Sequence, residues 1–465
     1  MARRPVPPFE TEIHALADRG VGVGTTPDGR EVRVRGTVPG MRVAAEVFKR
    51  SGRTLHARRT ATIRPAPDAV PPRCAVFGLC GGCTLQELPL AAQRGHKHAL
   101  AVDAVGGAPT VHAPRGGPHA YGYRNKVELS FGVRRYLSEE DHARGLPVEG
   151  RWLGFHAPGR FDRVVDTTRC ELVSERMNAV IAAVRAHVLQ PHQPPPLDVK
   201  CHEGFWRHLA LREGMATGEL LAVVHTTSQG PPEAVAALAE VLLATPVPGG
   251  RLVGVSWRLH DGVSDIAGGE VEATWGRATL REELAGRHFE LAPQAFFQTS
   301  TEGAEVLYGT VGEALGRGGT LVDLYCGVGA IGLVLADGFD RVIGWEVVPE
   351  AVENARANAA ANDVDASFEA VKVEEAIGTL GAIPGPRRIV VDPPRAGLHP
   401  IAAKALATAE AEVLVYVACH PASLGRDRPL LEAGGWRLTD LWTVDLFPQT
   451  GHVEAVARFV REPAP

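Results

Sequence analysis

The sequence has no long apolar run, few cysteines and no excess of positive charge. None of its apolar stretches is long enough to span a bilayer, and its start, MARRPVPPFETEIH, lacks the apolar core of a signal peptide. Its 7 cysteines are an odd number, which argues against a disulfide framework. We therefore expect a cytoplasmic globular protein with no membrane partner. At 465 residues it should have two or three domains.

Positive charge is concentrated at the N-terminal end although the net charge of the whole chain is −5. Residues 1–66 hold 13 Lys and Arg against 6 Asp and Glu, a net of +7. A basic module on an acidic body predicts that this end contacts a polyanion. For any single arginine a solvated surface charge is the alternative. The candidate contacts are Arg33, Arg35, Arg50, Arg58 and Arg59.

Hydrophobic periodicity changes along the chain. Over residues 9–66, short runs such as EVRVRG and TLHARRTATI alternate apolar and polar residues, which predicts a small β-barrel of the oligonucleotide-binding type. From about 120 to 280 the pattern is mixed α and β. From about 290 onward, strands alternate with helices, which predicts βαβ units and a parallel sheet covered on both faces.

Three of the cysteines lie in the motif C-x5-C-G-G-C. They are Cys74, Cys80 and Cys83, and Cys170 follows far downstream. Sulfur ligands hold zinc or iron–sulfur clusters, and structural zinc usually has two paired knuckles where this sequence has one. The spacing therefore favours a [4Fe–4S] cluster. Chance placement of the cysteines is the alternative.

The stretch LVDLYCGVGA at residues 321–330 predicts a buried strand that runs into a glycine-rich turn. No phosphate-binding lysine follows the glycines, and G-x-G-x-x-G is incomplete. The next strand, RVIGWEVV, ends in Glu346, whose carboxylate can bind a ribose diol. The pattern favours an adenosine ligand without phosphates, such as S-adenosylmethionine. An exposed acid at a strand end is the alternative for Glu346.

Two further buried strands end in side chains that can carry chemistry. RRIVVDPPR reaches Asp392 before two prolines, which hold the exit of the strand rigid. VYVAC ends in Cys419, directly before His420 and Pro421. From the residues alone, Cys419 could be a packing residue, a metal ligand or a nucleophile. Glu454 in GHVEAV could be only an edge-strand charge.

These motifs resemble, in their order, those of the RNA (uracil-5-)-methyltransferase family, which acts on tRNA and 23S rRNA. The chain is similar to the iron–sulfur branch of that family, which carries an N-terminal TRAM domain. The resemblance covers nearly the whole chain and includes YRNKVELSFG, RHLALREG, LAPQAFFQT, VVDPPRAGLHP, ACHPASLGRD and DLFPQTGHVEAV.

The resemblance implies an enzyme that transfers a methyl group from S-adenosylmethionine to C5 of a uridine in rRNA or tRNA. Cys419 matches the nucleophile, which adds to uracil C6, and Glu454 matches the base that removes the C5 proton. The target uridine must be flipped out of its stack, and we expect a monomer. The implied donor-binding residues are Gln298, Tyr325, Glu346 and Asp392. The implied cluster ligands are Cys74, Cys80, Cys83 and Cys170.

The sequence departs from the family at His420, where relatives have Asn, and at Ser300, which also replaces Asn. Ala330 offers no polar side chain to the donor, and no clear aspartate follows the third strand. Cys201 and Cys326 are expected to be structural. Alternatives are methylation of another atom, which needs no Cys nucleophile, and a non-catalytic RNA-binding or folding factor. A radical methylthiolating enzyme would need C-x3-C-x2-C, which is absent.

We therefore predict an α/β protein of three parts. Residues 1–66 form an OB-like TRAM barrel that binds RNA. Residues 67–285 form a central α+β domain that carries the Fe–S cluster, with a helix near residues 88–105 that packs on the catalytic domain. Residues 286–465 form a Rossmann-like class I methyltransferase domain.

Overall fold

The computed structural model describes residues 7–263 and 268–461. Contacts among the residues divide the chain into two compact units. One contains Met1–Pro72, Cys83–Ala120 and Glu302–Pro465, and the other contains Arg73–Gly82 and Tyr121–Thr301. The three domain limits expected from the sequence stay predictions. Within the described residues, no helix is both long and apolar enough to cross a membrane.

The first unit begins with a closed barrel whose strands follow the order β1-β2-β3-β5-β4. Its strands are β1 (Phe9–Ala17), β2 (Val21–Thr25), β3 (Glu31–Arg35), β4 (Arg42–Ser51) and β5 (Thr54–Arg64). The alternation in EVRVR places Val32 and Val34 inside the barrel and the arginines outside. The small N-terminal barrel expected from the sequence is confirmed, and it has five strands.

The same unit continues with one helix and two short strands. They are α1 (Leu90–Val105), β6 (Thr110–Val111) and β7 (Arg115–Gly116).

The second unit is a mostly antiparallel sheet covered by two helices. Its elements are β8 (Lys126–Arg134), α2 (Glu139–Ala143), β9 (Glu149–Ala157), β10 (Arg160–Asp166), α3 (Glu175–Val188), β11 (Trp206–Glu213), β12 (Glu219–Thr226), α4 (Pro232–Ala244), β13 (Arg251–Leu259), β14 (Glu270–Gly276), β15 (Leu280–Leu284) and β16 (Arg287–Leu291). The sheet order is β10-β9-β8-β11-β12-β13-β14, with β12 and β13 parallel, and β15 pairs with β16. Apolar side chains of α3 and α4 pack with the sheet in one core.

The first unit resumes with alternating helices and strands. They are α5 (Thr301–Leu315), β17 (Thr320–Leu324), α6 (Ala330–Leu335), β18 (Arg341–Glu346), α7 (Pro349–Ala361), β19 (Ala366–Ala370), α8 (Val373–Ala376), β20 (Arg387–Val391), α9 (Pro400–Thr408), β21 (Val413–Ala418), α10 (Pro421–Ala433), β22 (Trp436–Asp445) and β23 (Glu454–Arg461).

These strands form a sheet of order β19-β18-β17-β20-β21-β23-β22-β6, with β7 also paired to β22. The strands from β17 to β21 are parallel, as the alternating pattern predicts. The prediction of a parallel sheet is wrong for β23, which runs antiparallel to both of its neighbours, β21 and β22. A strand buried on both faces has the same apolar sequence in either direction, so its periodicity does not encode its polarity.

Helix α1 packs on this sheet domain. Lys97 is 1% exposed, and its ammonium donates to Asp445 Oδ1 (2.7 Å) at the end of β22 and to the carbonyl of Phe447 (3.0 Å). Arg428 on α10 donates to the carbonyls of Val105 and Gly107 at the end of α1 (3.2 and 2.7 Å). The helix is therefore anchored at its middle and at its C-terminal end to elements of the sheet domain that carries the candidate site.

Candidate active site

Cys419 follows directly after β21, whose six residues are all buried. The chain turns there because His420 is the N-cap of α10 and Pro421 is its first residue. Proline suits this position because its missing N–H has no partner in the first turn. The Cys419 side chain is half-buried, at the carboxyl edge of the sheet. The strand-to-helix turn therefore holds the sulfur at an opening and not in the core.

Glu454 is brought to Cys419 by the pairing of β21 with β23. Ala418 pairs with Ala455 across the two antiparallel strands, so the next step of the register sets Cys419 opposite Glu454. Glu454 is 3% exposed. Its carboxylate has no hydrogen-bond partner within the described residues. Asp392 follows the adjacent strand β20 at the same edge, because parallel strands end together.

Burial and mutual repulsion shift the titration of these groups. Burial raises the pKa of the Cys419 thiol to about 11, and the charges of Glu454 and Asp392 act in the same direction. Burial raises the pKa of Glu454 to about 8, with a further contribution from Asp392. Burial also raises the pKa of Asp392 to about 7. Cys419 is therefore a thiol at neutral pH, next to a carboxyl group poised to exchange protons near pH 8.

Arg395 is the cation of this cluster. It follows the two prolines after Asp392, and its positive charge lowers the pKa of both Cys419 and Glu454. Its guanidinium is also 3.1 Å from a carboxylate oxygen of Asp18, which lies after β1 of the barrel. The arginine therefore favours the thiolate that a nucleophilic mechanism needs.

Sequence reasoning missed two further buried groups near these residues. Asp323 in β17 accepts a hydrogen bond from the backbone N–H of Gly332 (3.0 Å), while its other oxygen has no partner, and burial raises its pKa to about 8. Tyr308 in α5 is 3% exposed. Burial raises the pKa of its hydroxyl, with further contributions from Asp392, Asp323 and Glu454. An acid in the middle of the apolar run TLVDL was the signal for Asp323.

Asp427 on α10 holds the loop and strand that carry the site. Its Oδ2 accepts hydrogen bonds from the Tyr416 hydroxyl in β21 and from the backbone N–H of Leu398, both at 2.9 Å. One carboxylate thus ties the strand before Cys419 to the loop that follows Asp392.

The glycine-rich turn after β17 is built as the sequence predicts. Gly327 and Gly329 have positive φ (54° and 77°), and Gly329 is the N-cap of α6. Glu346 at the end of β18 accepts from the backbone N–H groups of Gly327 (3.1 Å) and Val347 (2.7 Å). Tyr325 also has positive φ (63°), a strained conformation that tends to mark functional turns.

A cavity of about 790 Å³ opens beside this turn. Tyr325 and Val347 line the cavity from the strand ends. Lys372, Val373 and Glu374 line it just after β19, the third strand, where the sequence has no clear aspartate. The cavity is large enough for an adenosine-sized ligand. Glycines that allow close approach, a carboxylate at the second strand and an adjoining cavity together fit S-adenosylmethionine.

Gln298 and Ser300 belong to the second compact unit. The Gln298 side chain is 8% exposed, and its backbone carbonyl accepts from the Asn125 amide (3.0 Å). The same amide donates to the Thr301 hydroxyl (3.0 Å), which itself donates to Glu282 (2.8 Å). This segment is therefore fixed by hydrogen bonds within its own unit.

Three of the four predicted cluster cysteines lie in the second unit, and Cys83 opens a segment of the first. Burial raises the pKa of Cys80 to about 11, and the nearby Cys170 and Cys74 raise it further. The backbone N–H of Gly82 donates to the Cys80 sulfur (3.4 Å), and other backbone N–H groups donate to the sulfurs of Cys74 and Cys170. Among the described residues no three His, Cys, Asp or Glu side chains are arranged as a metal site. Sulfur ligands and backbone N–H donors are the groups that hold iron–sulfur clusters in proteins.

The other two cysteines differ in exposure. Cys326 is buried in the glycine-rich turn, and Cys201 is exposed.

The fold and this site together define an S-adenosylmethionine-dependent methyltransferase. Residues 277–377 match the family model described as tRNA (Uracil-5-)-methyltransferase. An RNA methyltransferase of Chlorobaculum tepidum is 37% identical over 97% of this chain and 96% of its own length. A tRNA (uracil(54)-C(5))-methyltransferase of Pyrococcus abyssi is 31% identical over 96% of this chain and 99% of its own. The chain belongs to the tRNA (uracil-5-)-methyltransferase family.

The fold agrees with that assignment. The crystal structure of the Pyrococcus abyssi tRNA (uracil-54, C5)-methyltransferase in complex with S-adenosyl-L-homocysteine matches this structure with a TM-score of 0.74. The match covers 97% of this chain and 100% of the other, at 27% sequence identity. The predicted enzyme class is confirmed: this is an S-adenosylmethionine-dependent RNA methyltransferase.

Proposed function

We propose that the protein methylates C5 of a flipped uridine in tRNA or rRNA through a covalent bond between Cys419 and C6 of the base. The observation that carries this proposal is the register that sets Cys419 opposite Glu454. Glu454 and Asp392 have no side-chain partners within the described residues, so both can serve a substrate.

Uracil C5 is a poor nucleophile until a thiolate adds at C6. Formation of the S–C6 bond moves the electron pair of the C5–C6 double bond into an enolate, and C5 then bonds to the methyl group. S-adenosylmethionine supplies that methyl group as an electrophile and leaves as S-adenosylhomocysteine. Glu454 takes the C5 proton, the double bond re-forms, and the thiolate leaves.

The acid–base properties of the site suit this sequence of steps. A carboxyl group with a pKa of about 8 holds a proton firmly once it has taken it from C5. The guanidinium of Arg395 favours the thiolate that must form before attack. The raised pKa of Cys419 also makes its thiolate a strong nucleophile once it is formed.

Donor binding is assigned to Gln298, Tyr325, Glu346 and Asp392, of which Glu346 can bind the ribose diol at the end of β18. Glu346→Ala should weaken binding of S-adenosylhomocysteine about 10-fold or more, measured by calorimetry. Glu353→Gln, on the exposed face of α7, is a matched control that should bind as the wild type does.

We further propose that Cys74, Cys80, Cys83 and Cys170 hold a [4Fe–4S] cluster with a structural role. The protein purified without oxygen should contain iron and acid-labile sulfide, and Cys80→Ser should lose both. Iron-free protein with four reactive thiols after anaerobic purification would contradict this. The cytoplasmic location and the monomeric state remain predictions.

Methyl transfer from labelled S-adenosylmethionine to unmodified tRNA and rRNA tests the proposed function. Label in 5-methyluridine, lost with Cys419→Ala, is expected. Label in another nucleoside, retained with Cys419→Ala, would mean that a different atom is methylated. No label in either RNA would support a non-catalytic RNA-binding factor.

A further inference from the structure

The outer face of the barrel carries a cross-strand row of cationic and imidazole side chains. Strands β3, β5 and β4 are neighbours, and their register sets Arg33 next to His56 and His56 next to Lys49. The residues on either side of His56, Leu55 and Ala57, are buried in the barrel. The row therefore points outward.

Phe48 lies beside this row on a β-bulge. The register of β4 and β5 skips Phe48, because Val47 pairs with Ala57 and Lys49 with His56. A bulge redirects a side chain and often serves a function. The Phe48 ring is 47% exposed. The guanidinium carbon of Arg35 lies 4.8 Å from its centroid, and the His56 ring lies 6.5 Å away at a 49° tilt.

The cations next to Phe48 differ from the other barrel arginines. Arg58 and Arg59 form ion pairs with Glu46 and Glu87, so these two predicted RNA contacts are already neutralised. Within the described residues, Arg35 and Lys49 have no carboxylate partner.

The positive charges of this surface also affect the pKa of His56. Burial lowers the pKa of His56, and Arg33, Lys49 and Arg35 lower it further. Arg33 is itself paired with Glu31 (3.1 Å), so within the described residues the cations beside His56 that have no carboxylate partner are Arg35 and Lys49. A lone exposed phenylalanine needs no explanation. A phenylalanine raised on a bulge beside Arg35 and Lys49, two cations with no carboxylate partner among the described residues, combines the two features that bind unpaired nucleic acid, a stacking ring and phosphate-binding charges.

We propose that Arg33, Arg35, Phe48, Lys49 and His56, the Phe48 patch, bind an unpaired nucleotide of the RNA substrate, whose base stacks on Phe48 while flanking phosphates contact Arg35 and Lys49. The inference rests on the proposed function only in taking RNA as the substrate. Single-stranded RNA is favoured over a duplex because a paired and stacked base cannot present its face to a ring. The patch would hold a part of the RNA other than the uridine that enters the active site.

The test is binding of a labelled 12-nucleotide oligouridylate, and of a 12-base-pair RNA duplex, to the full-length protein by fluorescence anisotropy. Phe48→Leu should weaken binding of the oligouridylate by roughly 10-fold, since base–aromatic stacking contributes about 1–3 kcal/mol. Phe48→Trp should bind as tightly as the wild type. Because Phe48 is exposed, neither substitution threatens folding.

Salt dependence separates the two kinds of contact. Lys49→Ala should lower the slope of log K against log salt by about 0.7, the amount expected for one phosphate of a single strand. Phe48→Leu should leave that slope unchanged. Arg42→Ala is the matched control, because Arg42 is an exposed barrel arginine paired with Glu10, away from the patch. It should bind as the wild type does.

Equal affinity of Phe48→Leu and Arg42→Ala for the oligouridylate would overturn the proposal. Equal losses of oligouridylate and duplex binding with Phe48→Leu would overturn it too, because the patch would then recognise duplex shape. The readout is binding and can be repeated in a Cys419→Ala background. If Phe48→Leu binds the oligouridylate as Arg42→Ala does, the methyl-transfer proposal is unaffected. If no methyl transfer is found, the binding test can still be carried out and interpreted.

Discussion

Replacing Glu454 with Gln should stabilise the protein at alkaline pH while it impairs proton removal. Glu454 is buried, its pKa is about 8 against 4.5 for an ordinary glutamate, and no side chain bonds to it within the described residues. The folded state therefore holds the proton more tightly than the unfolded state does. The free energy of unfolding of the wild type must fall as the pH rises from about 4.5 to about 8.

The size of this effect follows from the two pKa values. Since one pKa unit corresponds to about 1.4 kcal/mol, the cost of ionising Glu454 in the folded state is about 5 kcal/mol, fully expressed above pH 8 and absent below pH 4.5. Glutamine keeps the size of the side chain and cannot ionise. The stability gap between Glu454→Gln and the wild type should thus widen with pH.

The assay is thermal unfolding of both proteins at pH 5.0 and pH 8.5. The melting temperature of Glu454→Gln should exceed that of the wild type by about 5 °C or more at pH 8.5, with a smaller gap at pH 5.0. Glu353→Gln, an exposed substitution on α7, should show no such dependence. A gap that is the same at both pH values would refute the reasoning, because Glu454 would then titrate as an exposed acid does.

Three further substitutions test other parts of the structure. His420→Asn should keep methyl transfer while Cys419→Ala loses it, because the His420 side chain makes no capping hydrogen bond; an inactive His420→Asn would make the histidine a catalytic partner. Lys97→Met should lower the free energy of unfolding by about 3–5 kcal/mol, because it leaves the buried Asp445 charge without its ammonium partner; adding Asp445→Leu should recover much of the loss, and no recovery would contradict this account. Asp427→Ala should lower the free energy of unfolding in urea by about 2–4 kcal/mol, because it leaves two buried donors unpaired. A decrease below about 1 kcal/mol would show that the hydrogen bonds of Asp427 do not stabilise the loop and strand of the site.

The sequence predicts those parts of the fold whose signals are local. Alternation in EVRVR and TLHARRTATI predicts the barrel, and the buried runs before Glu346, Asp392 and Cys419 predict strands that end in functional residues. The direction of β23 is not predictable in this way, because it depends on its pairing with β21, which is distant in the sequence. That pairing is also what brings Glu454 to Cys419.

The roles of several site residues likewise depend on contacts that no short motif contains. Asp323 and Tyr308 are separated from Cys419 by about a hundred residues, and only the fold places their charges and hydroxyl near Glu454 and Asp392. Charge composition alone could not separate Arg58, which is ion-paired, from Arg35 and Lys49, which have no carboxylate partner within the described residues.

The buried acids of this site lower the free energy of unfolding of the protein. Asp323 and Glu454 each have a raised pKa because burial disfavours their charged forms. Their cost to the folded state grows as the pH rises from about 4 to about 8, and groups of this kind are concentrated at functional sites, where a carboxyl group must exchange protons.

The most direct test of the covalent mechanism uses RNA in which uridine is replaced by 5-fluorouridine. Fluorine at C5 cannot leave as a proton does, so a reaction that passes through an S–C6 bond stops at a stable adduct after methyl transfer. The wild type with S-adenosylmethionine should give a protein–RNA complex that survives denaturing electrophoresis, with the RNA attached to the peptide that contains Cys419. Cys419→Ala should give none. A wild type that methylates normal RNA but yields no adduct, or a Cys419→Ala variant that yields as much, would contradict the proposed mechanism.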